Sequence, residues 1–312
     1  MLQHISYSIF VILFTLAAPS ITAQGLPKVV AGTLQRIENF PSTYVDARNV
    51  DIWLPDGYSP DRQYNVLYMH DGQMLYDSAS NWNKSAWDVD DVLTRLQQEH
   101  KIRDVIVVGI WNGGKTRHAD YFPQKPFESL TDEQEAAVYA AVRSSGVSVF
   151  NDYTIRSDNY LKFLVTELKP YIDKTFSTYA GRKHTFIAGS SMGGLISMYA
   201  ICEYPKVFGG AACLSTHWPG IFSMENNPIP DAFLTYLNTH LPNPSQHKIY
   251  FDYGDQTLDA LYPPLQLKVD EVMRKKGFTD KNWSTRFFPG ENHSEKAWKK
   301  RLDVPILFLL KR

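Results

Sequence analysis

Apolar positions along this chain fall into two alternating patterns. Short apolar runs at residues 65–69, 104–111, 184–188, 210–214, 248–253 and 283–288 read as strands, with two strand-like stretches before them at 29–36 and 47–54. Between the runs, apolar residues return at helical spacing. Val89, Val92, Leu93 and Leu96 share a face within 86–98; Leu161, Leu164, Val165 and Leu168 do so within 158–176. Further helical stretches are 195–201, one ending near His240, 265–276, and a last helix from about Glu295. Pro170 predicts a kink or break in the 158–176 helix. Pro55-Asp56-Gly57-Tyr58 marks a turn. Residues 130–144 read as a helix within an inserted, lid-like segment at about 115–157. Strands alternating with helices predict an α/β fold: a mainly parallel central sheet covered by helices on both faces, with ligands at the carboxyl ends of the strands.

Composition narrows this picture. The 312 residues, 44% of them hydrophobic, suit one α/β domain with a large core. With 32 basic and 33 acidic residues and no long run of one sign, a nucleic-acid partner is not expected. Residues 1–23 hold no Lys, Arg, Asp or Glu; Ile9 to Ala18 is almost wholly apolar, and Ala23-Gln24 makes an acceptable cleavage junction. This predicts a secretory signal peptide over 1–23, with an uncleaved membrane anchor as the alternative, and a mature single domain over 24–312, exported to a periplasm or outside the cell. No later stretch is apolar and long enough for a membrane span, so none is expected after cleavage. Cys202 and Cys213 read as two buried thiols, one on a helix and one on a strand; a disulfide is the alternative in an oxidising compartment.

The densest chemistry lies at Gly189-Ser190-Ser191-Met192-Gly193-Gly194, between a strand and a helix. Strand, G-x-S-x-G, helix is a nucleophile elbow: the turn lifts the Ser191 hydroxyl clear of the sheet and aims the Met192 N–H at a developing oxyanion. Gly189 and Gly193 spare the turn two Cβ collisions. A serine nucleophile needs a base and an orienting carboxylate. Of the histidines after Ser191, His217 comes too early and His240 and His247 precede the strand expected to carry the acid. His293 follows the last strand, where the base belongs. The loop after residues 248–253 offers Asp255 and Asp259, whereas Asp252 lies within the strand. After the 65–69 strand comes His70-Asp71-Gly72-Gln73; the Gln73 N–H is the second oxyanion-donor candidate, and His70 and Asp71 brace the loop. There is no H-x-x-E-H or Cys/His cluster, and neither metal nor organic cofactor is implied.

These residues carry a resemblance. His70-Asp-Gly-Gln73, Val107-Val-Gly-Ile-Trp-Asn112 with Arg117, Ala188-Gly-Ser-Ser-Met-Gly-Gly194, Phe208-Gly-Gly-Ala-Ala with Leu214-Ser215, and His293-Ser-Glu-Lys-Ala-Trp298 resemble the putative-esterase family of α/β-hydrolases over most of residues 45–312. That family includes feruloyl and acetylxylan esterases, siderophore esterases, S-formylglutathione hydrolases and mycolyltransferases. The resemblance implies an α/β-hydrolase fold and a serine esterase. It also favours Asp259 over Asp255, because Gln266 stands seven residues on as in the feruloyl esterase branch. Trp111, Asn112, Arg117 and Trp218 are the expected substrate contacts, with Trp82, Tyr121 and Phe122 as further aromatics that could stack a ring or pack a loop. The match departs at Arg117-His-Ala-Asp120, where relatives often carry Arg-x-x-Glu, which concerns the substrate rim. The expected substrate is a small-molecule or oligosaccharide ester, feruloyl or acetyl esters of carbohydrates first and siderophore esters second. Acyl transfer with the same triad and a ligand-binding pseudo-hydrolase are the alternatives.

Overall fold

The computed structural model describes residues 25–81 and 83–312; the expected signal peptide, 1–23, lies outside the described residues, as does Trp82. The strands are β1 Thr33–Phe40, β2 Arg48–Leu54, β3 Asn65–His70, β4 Val105–Ile110, β5 Thr185–Ser190, β6 Gly210–Leu214, β7 Lys248–Tyr253 and β8 Trp283–Phe287. They form one sheet in the order β1-β2-β4-β3-β5-β6-β7-β8. Pairing is antiparallel for β1 with β2 and β2 with β4, and parallel from β4 through β3 to β8. Every residue of β3, β4, β5 and β6 is buried, which is why these strands read as continuous apolar runs. Side chains still alternate by face: Ile106 and Val108 join one core layer, Val105 and Val107 the other.

The helices are α1 Val89–Gln98, α2 Arg117–Tyr121, α3 Gln124–Phe127, α4 Asp132–Tyr139, α5 Ser157–Lys162, α6 Lys169–Thr175, α7 Met192–Glu203, α8 Ile229–His240, α9 Pro263–Lys275, α10 Glu295–Arg301 and α11 Asp303–Leu310. Buried residues of α1, α10 and α11 join one core layer, and those of α2 to α9 the other. No helix among the described residues is long and apolar enough to cross a membrane. Cys202 and Cys213 are both buried and free.

Three boundaries differ from expectation, each for a local reason. Strand β1 starts at Thr33 because Val30 and Gly32 give their N–H groups to Asp90 and Asp56 side chains instead of a ladder. Helix α4, entered through a Thr131–Gln134 capping box, ends at Tyr139, where a Val142–Ser148 bridge across a turn with Gly146 takes over. Pro170 does not break its helix. A π-helical stretch, Phe163–Leu168, joins α5 to α6, and Pro170 falls in the first turn of α6, where its missing N–H costs least.

Candidate active site

Because β3 and β5 to β8 run parallel, the loops after them gather at one edge of the sheet. Ser191 stands between β5 and α7 with φ 56° and ψ −121°, a backbone that costs a non-glycine residue roughly 1–3 kcal/mol. Its N–H is tied to the Leu214 carbonyl at 2.9 Å, and its carbonyl accepts from Leu195 at 3.1 Å, which anchors both ends of the turn. A Cβ at Gly189 would lie 2.7 Å from the Gly193 carbonyl carbon, so the elbow closes only over glycine. Met192 opens α7, and a first-turn N–H has no acceptor within its own helix.

Asp259 lies in the turn after β7, on the helical stretch Thr257–Leu261, and is fully buried. Its Oδ1 is 2.6 Å from His293 Nδ1; its Oδ2 accepts from the Gly254 N–H and the Ser215 hydroxyl, both at 2.7 Å. Burial alone would raise its pKa, but His293, Ser215 and Gly254 outweigh it and hold the carboxyl below its ordinary value. The two loops are joined directly: Gln256 pairs with Asn292, and the His293 N–H donates to Thr257 Oγ1 at 3.0 Å. The imidazole packs edge-on against Trp298, with 5.0 Å between ring centres, and against Tyr262 at 5.8 Å. Asp255 turns away and accepts from the Gly290 N–H at 2.8 Å. Among the described residues no direct hydrogen bond joins Ser191 to His293; the Tyr262 phenol is the polar neighbour of the Ser191 hydroxyl. Such bonds are often long or misaligned without substrate.

His70 and His217 are both occupied. His70 Nδ1 meets the Tyr160 hydroxyl at 2.8 Å, and burial pushes its pKa down to about 3. His217 meets the Tyr262 hydroxyl at 2.8 Å, and burial holds it well below its ordinary value.

The loop after β3 leans on the elbow. A Cβ at Gly72 would fall 2.5 Å from the Gly109 backbone, so glycine alone lets this loop cross β4. Asp71 is clamped by Arg117 through two contacts of 2.7 Å and by Asn112 Nδ2 at 2.7 Å. Burial works against its charge, yet Arg117 and Asn112 keep its pKa below the ordinary value. Next to it, Gln73 lines a cleft of about 250 Å³ with Met74, Trp87, Asn112, Arg117, Ser190, Glu295 and Trp298. A larger concavity, about 1000 Å³, opens at the amino ends of the strands around Arg103, Lys248 and Lys281, away from Ser191. The smaller one is the candidate because Ser190, next to Ser191, and Trp298, packed on His293, line it.

The structure thus brings Asp259 to His293, and Asn112, Arg117 and Gln73 to one cleft. It sends two expected substrate contacts elsewhere. Trp111 bonds Asp51 at 2.8 Å and lies under the Arg36 guanidinium, facing β1 and β2. Trp218 is buried against Phe251, with its N–H on Gln266 at 2.8 Å, which leaves no free ring face. Tyr121 and Phe122 are fully buried as well. These aromatics pack the molecule because each found a ring or polar partner in the core. Sequence reasoning passed over Ser215, the buried partner of Asp259, and the Trp298 and Arg301 that bond Ser215 in turn; their only signal was that Ser215 and Trp298 fall in the blocks that carry the resemblance. Among the described residues, no group of three or more His, Cys, Asp or Glu could hold a metal ion.

A family profile described as Putative esterase matches residues 42–308. The uncharacterized protein YbbA of Bacillus subtilis is 23% identical over 261 residues, 81% of this chain and 89% of its own. Solved structures share the fold. One, of a CE1 ferulic acid esterase from Anaeromyces mucronatus with ferulic acid, has a TM-score of 0.59, 16% identity, and coverage of 93% of this chain and 95% of its own. Another, of the enterobactin esterase of Shigella flexneri, has a TM-score of 0.59, 16% identity, and coverage of 91% and 60%.

Proposed function

The chain belongs to the Putative esterase family and is a carboxylic ester hydrolase, and from that premise we propose a serine esterase in which Ser191 is the nucleophile, His293 the base and Asp259 the acid. Ser191 Oγ attacks the ester carbonyl while His293 takes its proton. The oxyanion is met by the N–H groups of Met192 and Gln73. His293 then protonates the departing alcohol, and water, activated by the same imidazole, hydrolyses the acyl-serine. One observation carries this reading: the 2.6 Å bond between His293 and the buried, ionised Asp259, on loops that flank the strained Ser191 turn. Labelling by a fluorophosphonate tests it. Ser191 should be modified in the parent and nothing should be modified in Ser191→Ala; an unlabelled parent would point to the pseudo-hydrolase.

For substrate we propose a feruloyl or acetyl ester of a soluble oligosaccharide. The cleft of about 250 Å³ is slightly smaller than the usual ligand site and suits one compact acyl group. A siderophore reading needs free cations to meet catecholates. Of the rim cations Lys115, Arg117 and Lys125, Arg117 is already clamped to Asp71 and Lys125 is paired with Glu203, which leaves Lys115 to meet a catecholate. The test is kcat/KM for feruloylated and acetylated xylo-oligosaccharides against a triscatecholate and a short p-nitrophenyl ester. A sugar ester no better than the p-nitrophenyl ester would remove the carbohydrate reading. Export after cleavage of residues 1–23 belongs to the same proposal.

A further inference from the structure

Ser215 and Trp298 take no part in the acyl chemistry, yet they meet behind Asp259. Ser215, just past β6, is fully buried with φ 41°, a backbone that favours glycine. Its N–H holds it there, donating to the Asp252 carbonyl at 2.9 Å and to Asp252 Oδ1 at 3.1 Å. Its hydroxyl oxygen is 2.9 Å from Trp298 Nε1, 2.9 Å from Arg301 Nη2 and 2.7 Å from Asp259 Oδ2. An indole N–H and a guanidinium can only donate. Between them they fill both acceptor positions of the oxygen, so the single hydroxyl proton is left for Asp259.

Resting on the serine-esterase reading above, we propose that Ser215, polarised by Arg301 and Trp298, is a positioning residue that donates to Oδ2 of Asp259 and thereby sets how the carboxylate faces His293. With Gly254 and Ser215 both on Oδ2, Oδ1 alone is left for the imidazole. Arg301 is buried, spans Ser215 and Asp252, and carries its positive charge to within one hydroxyl of the acid. Asp252 balances that charge and takes a further bond from Tyr250 at 3.1 Å. Asp252, on β7, lies behind Asp259, bonded to Ser215 and Arg301. Trp298 also edges the imidazole, so one indole steadies both members of the pair. The charged and titratable groups around Asp259 and His293 are Arg301 on α10, Asp252 and Tyr250 on β7, His217 after β6, and Tyr262 before α9.

The test compares parent, Asp259→Asn, Ser215→Ala and the charge-free double variant Arg301→Met with Asp252→Asn, all on p-nitrophenyl acetate. Ser215→Ala should lose about 10–100-fold, mainly in kcat. Its acid limb of kcat/KM should move to higher pH, because a carboxylate stripped of one donor presents more negative charge to His293 and favours the imidazolium. The double variant should move the limb the same way, and it guards against Ser215→Ala failing to fold. A variant that only loosened packing would lower thermal stability and leave the limb in place. An unmoved limb with parent kcat in Ser215→Ala, or a limb moving to lower pH, overturns the proposal. If Asp259→Asn is crippled while Ser215→Ala is not, this inference alone fails; if Asp259→Asn matches the parent, the triad reading fails with it.

Discussion

Ser191→Ala should reduce kcat by about a million-fold while the protein still unfolds at the parent temperature, since a nucleophile contributes to turnover and not to the core. Steady-state kinetics beside a thermal melt checks both halves. Asp259→Asn should lower kcat by about ten-thousand-fold, and Asp255→Asn far less, because only Asp259 reaches the imidazole. The reverse ranking would reject Asp259. The same carboxyl should also show in stability. Its folded pKa lies below the ordinary 3.8, so on acidification the unfolded chain takes up the proton first. Its pairing therefore stabilises the fold above pH 3.8, and that contribution drains away as pH falls through the lower folded value. The acid side of the stability profile should be flatter in Asp259→Asn than in the parent, measured by denaturant titration. Ser191 and His293 could be singled out in the chain because glycine spacing and chain order constrain them. Asp255 and Asp259 were not separable on their own, because both follow one strand and only the turn between them decides which points inward. Ser215 and Arg301 were hidden for a different reason: single polar residues beside apolar runs give no sign of what they face after folding.

At the scale of elements, the inserted segment is pinned by one buried carboxylate. Asp120 takes Arg156 Nε at 2.7 Å, Arg48 Nη2 at 3.2 Å and Thr116 Oγ1 at 2.8 Å, which ties α2 to β2 and to the approach to α5. The departure from the Arg-x-x-Glu pattern thus falls on an anchor; it is Arg117 that reaches the cleft. Asp120→Ala leaves Arg48 buried without its partner and should cost about 3–5 kcal/mol. The loss should concentrate between α2 and α5, and limited proteolysis would read it as new cleavage within residues 117–156; a cleavage pattern like the parent's would deny the anchor. Strands were the most legible elements, because burial on both faces writes a continuous apolar run. Helix ends and Pro170 were less so. A capping box, a side-chain acceptor or a widened turn competes locally, and periodicity does not register that competition.

The whole molecule divides at its amino end. The family match begins at residue 42 and the first described strand at Thr33, so residues 1–23 precede every described strand. Three backbone N–H groups of the segment between them and β1 tie it down: the Lys28 N–H reaches Asp77, Val30 reaches Asp90 at 2.7 Å and Gly32 reaches Asp56 at 2.8 Å. Cleavage between Ala23 and Gln24 would leave all three ties in place, as a signal peptide requires. The chain that starts at Gln24 should therefore match the full-length chain in melting temperature and in kcat/KM on a short ester. Removal of residues 24–32 as well should lower the melting temperature, since Asp90 is buried and would lose the Val30 N–H that it accepts. Amino-terminal sequencing of the protein from its native host completes the test. A mature start at Gln24 outside the cytosol is the expected result, and an intact Met1 in a cytosolic fraction would contradict export while leaving the esterase chemistry untouched.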